Sequence, residues 1–272
     1  MTANIFEQAR MQARSRDFSS LAFWIWMGLL SALIAAGLYA AFQVFTQGLS
    51  VTNLSDQNPW GLWIAIDTSA IALSAGAFSF TAIVYILKYE QFKRLARLAA
   101  FVGLSGYSVA MISLLMDLGR PDRFYFGYVY WNWHSPLWEV TMCVGLYFTV
   151  MLIENLPNIS RFNWLKQRFP KIVGWMDKTH DFAPLLAFAG LFLSIMHQSS
   201  LGNTYGVLVS RPIWYRPGLA VMYFASAVVG GMAMTLLVAS IAGLIRKEWR
   251  IQAKAMTQIA KFVGSLAVLL LV

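Results

Sequence analysis

LAFWIWMGLLSALIAAGLYAAFQVF, residues 21–45, carries no charged side chain over 25 positions. At about 1.5 Å of rise per residue, a helix of this length exceeds the roughly 30 Å hydrocarbon core of a bilayer. Lipid offers no partners for backbone N–H and C=O groups, so such a run is read as a membrane-spanning helix. Five further runs meet the same requirement: roughly 61–87, 98–118, 136–153, 182–199 and 219–245. A seventh, FVGSLAVLLLV at 262–272, is too short to cross and reads as a partial span. The expected fold class is an all-α membrane protein, a polytopic helical bundle with six full transmembrane helices plus a partial seventh. Residues 1–272 form a single integral membrane domain.

Composition agrees. The chain is 58% hydrophobic and 12% charged, against about 25% charged in ordinary soluble domains. Its one cysteine, Cys143, excludes an internal disulfide and an iron–sulfur cluster, which takes about four cysteine ligands. The net charge of +9 invites a nucleic-acid reading, but its distribution argues otherwise. Seventeen lysines and arginines fall in the N-terminal segment and alternate loops, and only Arg120, Arg123, Arg211 and Arg216 fall on the other side. The positive-inside rule therefore places residues 1–20 in the cytoplasm. The excess marks topology and contact with anionic lipid, not nucleic acid. The first 18 residues are polar and show no cleavable signal pattern.

Two connecting segments stand out. RFNWLKQRFPKIVGWMDK (161–178) mixes five bases with Phe162, Trp164, Phe169 and Trp175. It reads either as a segment on the inner membrane surface or as a solvated loop. The outer loop at about 119–135 is the candidate docking surface for a protein.

Polar groups recur near the outer ends of four consecutive spans. Asp67 lies about two turns inside the second, Asp117 ends the third, and Glu139 lies about one turn inside the fourth, which His134 is expected to cap. His197 and Gln198 are expected in the last turn of the fifth. A carboxylate inside a membrane helix costs on the order of 2–3 kcal/mol, less near the interface, and persists when paired or beside a wet cavity. Arg120 and Arg123 of GRPDR are candidate partners for Asp117 and Asp122 in loop-fixing ion pairs. Asp67 and Glu139, deeper in apolar runs, are candidates for function. The alternative is a protonated carboxyl hydrogen-bonded to a neighbouring helix.

His134 and Glu139 diverge by about 140° on one helix, so adjacent walls of a cavity suit them better than direct contact. An apolar pocket with aromatics (Trp60, Trp63, Tyr130, Trp133, Trp138), hydrogen-bonding anchors and titratable groups suits a quinone, whose redox chemistry moves two protons with two electrons. Haem is the rival, since b-type haem takes two axial ligands and His134 and His197 are at similar expected depth. His180, with Asp181, is at the opposite face.

PWGLWIAID (59–67), SPLWEVTMCVGLY (135–147), MHQSSLG (196–202) and MDLGRPDRFYF (116–126) together resemble the NrfD/PsrC family of membrane quinone-interacting subunits. They look most like its HybB-like branch, found with periplasmic nickel–iron hydrogenases and other respiratory complexes. The resemblance covers about residues 58–245. It implies a subunit without haem or iron–sulfur cluster in the cytoplasmic (inner) membrane, its polar site towards the periplasmic face. Such a subunit exchanges electrons between menaquinone or ubiquinone and an extracytoplasmic ferredoxin-like iron–sulfur subunit. That partner serves a catalytic subunit: a hydrogenase, a molybdopterin enzyme or a multihaem cytochrome. The family's four-helix quinone bundle maps to helices 2–5, residues 58–200, with 201–272 as additional helices. Asp67, Asp117, Arg120, Glu139, His197 and Gln198 carry over by resemblance, with His134, Trp63, Trp138 and Tyr130 added from the residues themselves. HybB-like members have eight to ten spans, more than this sequence contains.

Other readings stay open. Thr68, Ser69, Ser74, Ser79 and Thr81 could line an ion or solute path, although clustering near one face is unlike the midplane sites of transporters. A quinone site could join an inner proton path through Ser105, Ser108, Glu154 or Asp181, giving proton translocation. A haem b anchor and a purely structural anchor complete the set.

Overall fold

The computed structural model describes residues 3–245 and 249–271, with the side chains of residues 3–20 and of Pro136, Asn158, His180, Asp181 and Leu271 outside that description. The N-terminal bases, Arg246 and Lys247, and the His180–Asp181 pair therefore lie outside the described residues or side chains. Seven long helices form among the described residues: α1 (Ala3–Gln47), α2 (Leu62–Ile86), α3 (Lys93–Asp117), α4 (Pro136–Ile159), α5 (Ala183–Gly206), α6 (Leu219–Ile245) and α7 (Ala253–Leu271). No strand forms among them. Each contains a stretch long and apolar enough to cross a membrane. The seventh run, short when read from Phe262, gains its first turns from AKAMTQIAK and reaches 18 residues, Ala253–Leu270.

The chain divides into two compact units, Met1–Pro59 with Leu118–Pro121, and Trp60–Asp117 with Asp122–Val272. In the first, helix α1 leads into a short 3-10 turn, Leu49–Val51. The turn at 118–121 uses Gly119 at φ 63°, a conformation glycine adopts without strain. Its Cα faces the Leu49 side chain.

In the second unit α2 packs against α3, α5 and α6, and two cores form along it. Ile71 and Phe78 of α2, Tyr107 of α3, Tyr147 and Met151 of α4 and Ala187 of α5 share one. Phe80 and Val84 of α2, Leu95 and Ala99 of α3, Met232 of α6 and Ile259 of α7 share the other. The α2–α5 grouping expected from the sequence is thus one of two packed groups that have α2 and α3 in common. Small residues make the α2–α6 contact possible. A Cβ on Gly76 would collide with the Ala227 carbonyl, and one on Gly231 with the Ala77 backbone. Such close backbone approach drives helix association in lipid, where apolar burial alone gains little.

Two boundaries differ from the sequence reading. Helix α5 runs to Gly206, seven residues past the apolar run, because QSSLGNTYG is polar by composition yet packed: Gln198, Ser200, Leu201 and Gly202 are buried. His197 is therefore nine residues from the helix end, about 13.5 Å at helical rise, and not in the last turn. The N-cap of α4 is Ser135, whose Oγ accepts from the Trp138 N–H; His134 does not cap it. Between α4 and α5, residues 161–178 form two short helices, Asn163–Arg168 and Pro170–Lys178.

Candidate functional site

Polar residues facing a bundle core must find partners, and those that do not mark a place where something else fits. Among the described residues of the second unit, Asp67 Oδ1, Tyr147 OH, His197 Nε2, Gln198 Nε2 and Ser200 Oγ are buried without a hydrogen-bond partner. Asp67 is 8% exposed, His197 0% and Gln198 1%. His197 Nδ1 lies 3.1 Å from the Tyr107 hydroxyl. Its ring meets the Tyr107 and Tyr147 rings edge-on, at centroid distances of 5.8 and 6.2 Å. Tyr107 is within electrostatic reach of Asp67, so α2, α3 and α5 converge here. Deeper in the bundle, Ser79 Oγ and Ser194 Oγ are 3.0 Å apart.

From Asp67 towards the start of α2 is a cavity of about 280 Å³ lined by Trp60, Gly61, Ile64, Ala65, Thr68, Tyr205, Trp214 and Tyr223. That volume is close to the lower end, roughly 300 Å³, of small-molecule pockets. Its walls are flat rings. Trp60 stacks on Trp214 with centroids 5.2 Å apart and planes within 1°, Tyr205 meets both edge-on, and Tyr223 stacks on Tyr205 at 5.7 Å. Thr68 in this wall follows Asp67 in the chain, and Tyr205 is within electrostatic reach of Asp67. The cavity thus offers ring faces for a planar ligand, with the buried Asp67 carboxyl next in the chain to one wall residue and within electrostatic reach of another.

The other expected site residues lie elsewhere. Asp117, half-buried, accepts a hydrogen bond from the Trp63 indole N–H. This latch ties the start of α2 to the end of α3. Arg120 is exposed in the 118–121 turn of the first unit. Tyr130, His134 and Glu139 are exposed, Glu139 in the first turn of α4, where the helix dipole favours an acid. Trp138 is half-buried, donates through Nε1 to the Gly127 carbonyl at 2.8 Å, and packs with Trp131 and Trp133. Tyr128 packs over Gly145 and donates to the Thr141 carbonyl at 3.3 Å; burial pushes its phenol pKa up. The 124–135 loop is thereby clamped to the start of α4 with many of its rings outward. Asp67, His197 and Gln198 are brought to one buried region, while His134 and Glu139 remain at an exposed surface.

Sequence reasoning missed Tyr107, Tyr147, Tyr205 and Trp214. Within apolar runs, tyrosines read as ordinary core residues. Trp214 belongs to a connecting loop, and only the PWG stretch facing it gave any signal. As for haem, two axial histidines must face one space. His134 is exposed in a loop, while His197 sits in the bundle with Nδ1 engaged by Tyr107. This pair does not fit a bis-histidine haem. Among the described residues no cluster of three metal-ligating side chains forms.

Comparison with known proteins places these features. The family model "Polysulphide reductase, NrfD" matches residues 50–272. The chain is 41% identical over 226 residues to the menaquinone reductase integral membrane subunit of Nitratidesulfovibrio vulgaris, covering 80% of this chain and 54% of that protein. It is 25% identical over 248 residues to a selenate reductase subunit of Mesobacillus selenatarsenatis, covering 82% and 58%. It is 30% identical over 174 residues to a probable Ni/Fe-hydrogenase 2 b-type cytochrome subunit of Escherichia coli, covering 61% and 42%. The chain spans about half the length of the curated relatives it matches. With seven span-length apolar helices and a match over most of its length, the protein is an integral membrane protein and belongs to the NrfD family.

Proposed function

We propose that this chain is the membrane subunit of a respiratory complex and exchanges electrons and protons between a quinone pool and an extracytoplasmic iron–sulfur partner. The observation that carries the reading is the aromatic cavity set beside a buried, unpartnered Asp67. The quinone ring lies between the indole and phenol faces, with Thr68 and Tyr205 as hydrogen-bonding groups at its edge. Asp67 exchanges one proton with the ring oxygen near it. The His197–Tyr107 pair, deeper in the bundle, is the next proton-carrying station. Reduction of one quinone takes two electrons and two protons; one cysteine cannot hold a cluster, so the electrons come from partner subunits. Those partners are a ferredoxin-like iron–sulfur protein and a catalytic subunit, meeting the exposed 124–139 surface with His134, Tyr130 and Glu139. The membrane is the cytoplasmic one, the N-terminus is inside and the cavity opens outward, as the distribution of bases supports. The names of the relatives, a menaquinone reductase subunit among them, support the same class.

The test is Asp67→Asn in the assembled complex. Loss of quinone-linked turnover with normal assembly and intact partner electron transfer is the expected result. Unchanged turnover overturns the site.

A second reading draws on the depth of the polar chain. Besides the Ser79–Ser194 pair there is Glu154, whose Oε2 is buried without a partner among the described residues and which is within electrostatic reach of Tyr147. This supports proton movement through the bundle in addition to the redox step. Glu154→Gln should then abolish proton translocation in vesicles while quinone turnover in detergent persists; equal loss of both would remove the second reading.

A further inference from the structure

Residues 160–182 join α4 to α5, and the two spans hold them at one membrane boundary. One side of this segment is docked. Val173 and Met176 are buried, the Ser160 hydroxyl donates to the Asp177 carboxylate, and Thr179 Oγ1 donates to the Met176 carbonyl at 2.7 Å. The other side exposes Phe162, Trp164, Phe169, Ile172, Trp175 and Phe182, from 41% at Phe169 to 68% at Trp164. Interleaved with them are Arg161, Lys166, Arg168, Lys171 and Lys178, all exposed. None of these five makes an ion pair among the described residues, whereas Lys93, the first residue of α3, is paired with Glu90 at 2.6 Å.

Water is a poor environment for six exposed apolar side chains, and hydrocarbon is a poor one for five cations. The bilayer interface satisfies both, with rings at headgroup level and basic heads on the phosphates. A protein-binding patch would look different, since the centre of such an interface is depleted of charge; here bases and aromatics alternate along the whole segment. We propose that residues 161–178 are an anionic-lipid-binding element that lies in the membrane interface and anchors the adjoining ends of α4 and α5 to negatively charged phospholipid. The proposal is independent of the quinone reading.

The test uses the full chain in lipid nanodiscs of phosphatidylcholine with or without phosphatidylglycerol. Native mass spectrometry should find phosphatidylglycerol retained over phosphatidylcholine by about five-fold or more, the factor each base near an anionic surface supplies. A combined Lys166→Gln, Arg168→Gln, Lys171→Gln variant should bring that preference close to one. The same change at Lys88, Lys93 and Arg97 should leave it in place. In a separate variant, a polarity-sensitive fluorophore on Trp175→Cys should report an interfacial environment in the discs; the only other thiol, Cys143, is buried. No lipid preference in the wild type, or a label that stays in water in both lipids, overturns the proposal. A label shielded only after partner subunits are added overturns it equally, in favour of protein docking.

Discussion

The start of α4 and the packed region of α2, α3 and α5 around His197 carry the same kinds of side chain: a carboxylate, a histidine and aromatic rings. Their surroundings differ. Glu139 and His134 are exposed, and Glu139 sits where a helix dipole favours an acid. Asp67 and His197 are buried, each with a polar atom that no group among the described residues satisfies. An exposed acid at a helix start needs no further explanation. A buried unpartnered one costs stability unless a ligand, proton or water completes it. Under the proposed function, burial without a partner, rather than residue type, separates the proposed quinone site from the proposed partner-facing surface.

Four substitutions test that contrast. The largest effect concerns Asp67→Asn. If Asp67 is the proton-exchanging group, quinone-linked turnover falls by about 100-fold or more, the usual range for removing a general acid–base group. Steady-state assays with a soluble quinol, on complexes shown by gel filtration to be intact, check it. Tyr107→Phe comes next. It removes the hydroxyl beside His197 Nδ1 at the cost of one hydrogen bond, about 1 kcal/mol, so turnover should fall by roughly 5–10-fold. The effect should appear in kcat rather than KM, because Tyr107 does not line the cavity.

Trp214→Ala removes one half of the Trp60 stack. Aromatic pairs contribute about 0.5–1.5 kcal/mol beyond buried area, so the quinone KM should rise by up to about ten-fold with kcat little changed. A kcat loss without a KM change would move the ring out of this cavity. The smallest effect is expected for Glu139→Gln, within about two-fold for a surface change in turnover with soluble quinol. Its influence should instead appear in salt-dependent binding of the partner protein, measured by surface capture. A loss comparable to that of Asp67→Asn would restore Glu139 to the site and erase the contrast.

Much of this was legible in the sequence. Long uncharged runs identify spans because lipid leaves the backbone no alternative to a helix. Asp67 and His197 stood out because charged and titratable groups are rare in such runs. Depth and facing were harder to read. QSSLGNTYG looks like a loop, and only its packing against α6 through Gly202 and Leu219 shows that α5 continues through it. That extension moves His197 inward and weakens the depth argument against a transporter. Facing depends on helix rotation, which strongly apolar helices with little amphipathic pattern do not reveal, so Glu139 and Asp67 looked equivalent. Tyr107 and Trp214 were invisible for a related reason. A tyrosine among apolar residues signals nothing until its hydroxyl is found beside a histidine, and a loop tryptophan signals nothing until it is found stacked on another.

The most direct test is to purify the complex that contains this chain, extract its organic cofactors, quantify quinone per chain by chromatography and record the haem spectrum of the isolated chain. Close to one quinone per chain, lost in Trp214→Ala and retained in Glu139→Gln, with no b-type haem, is the expected result. One haem per chain, or no quinone in any preparation that remains assembled, would contradict the aromatic cavity as a quinone site.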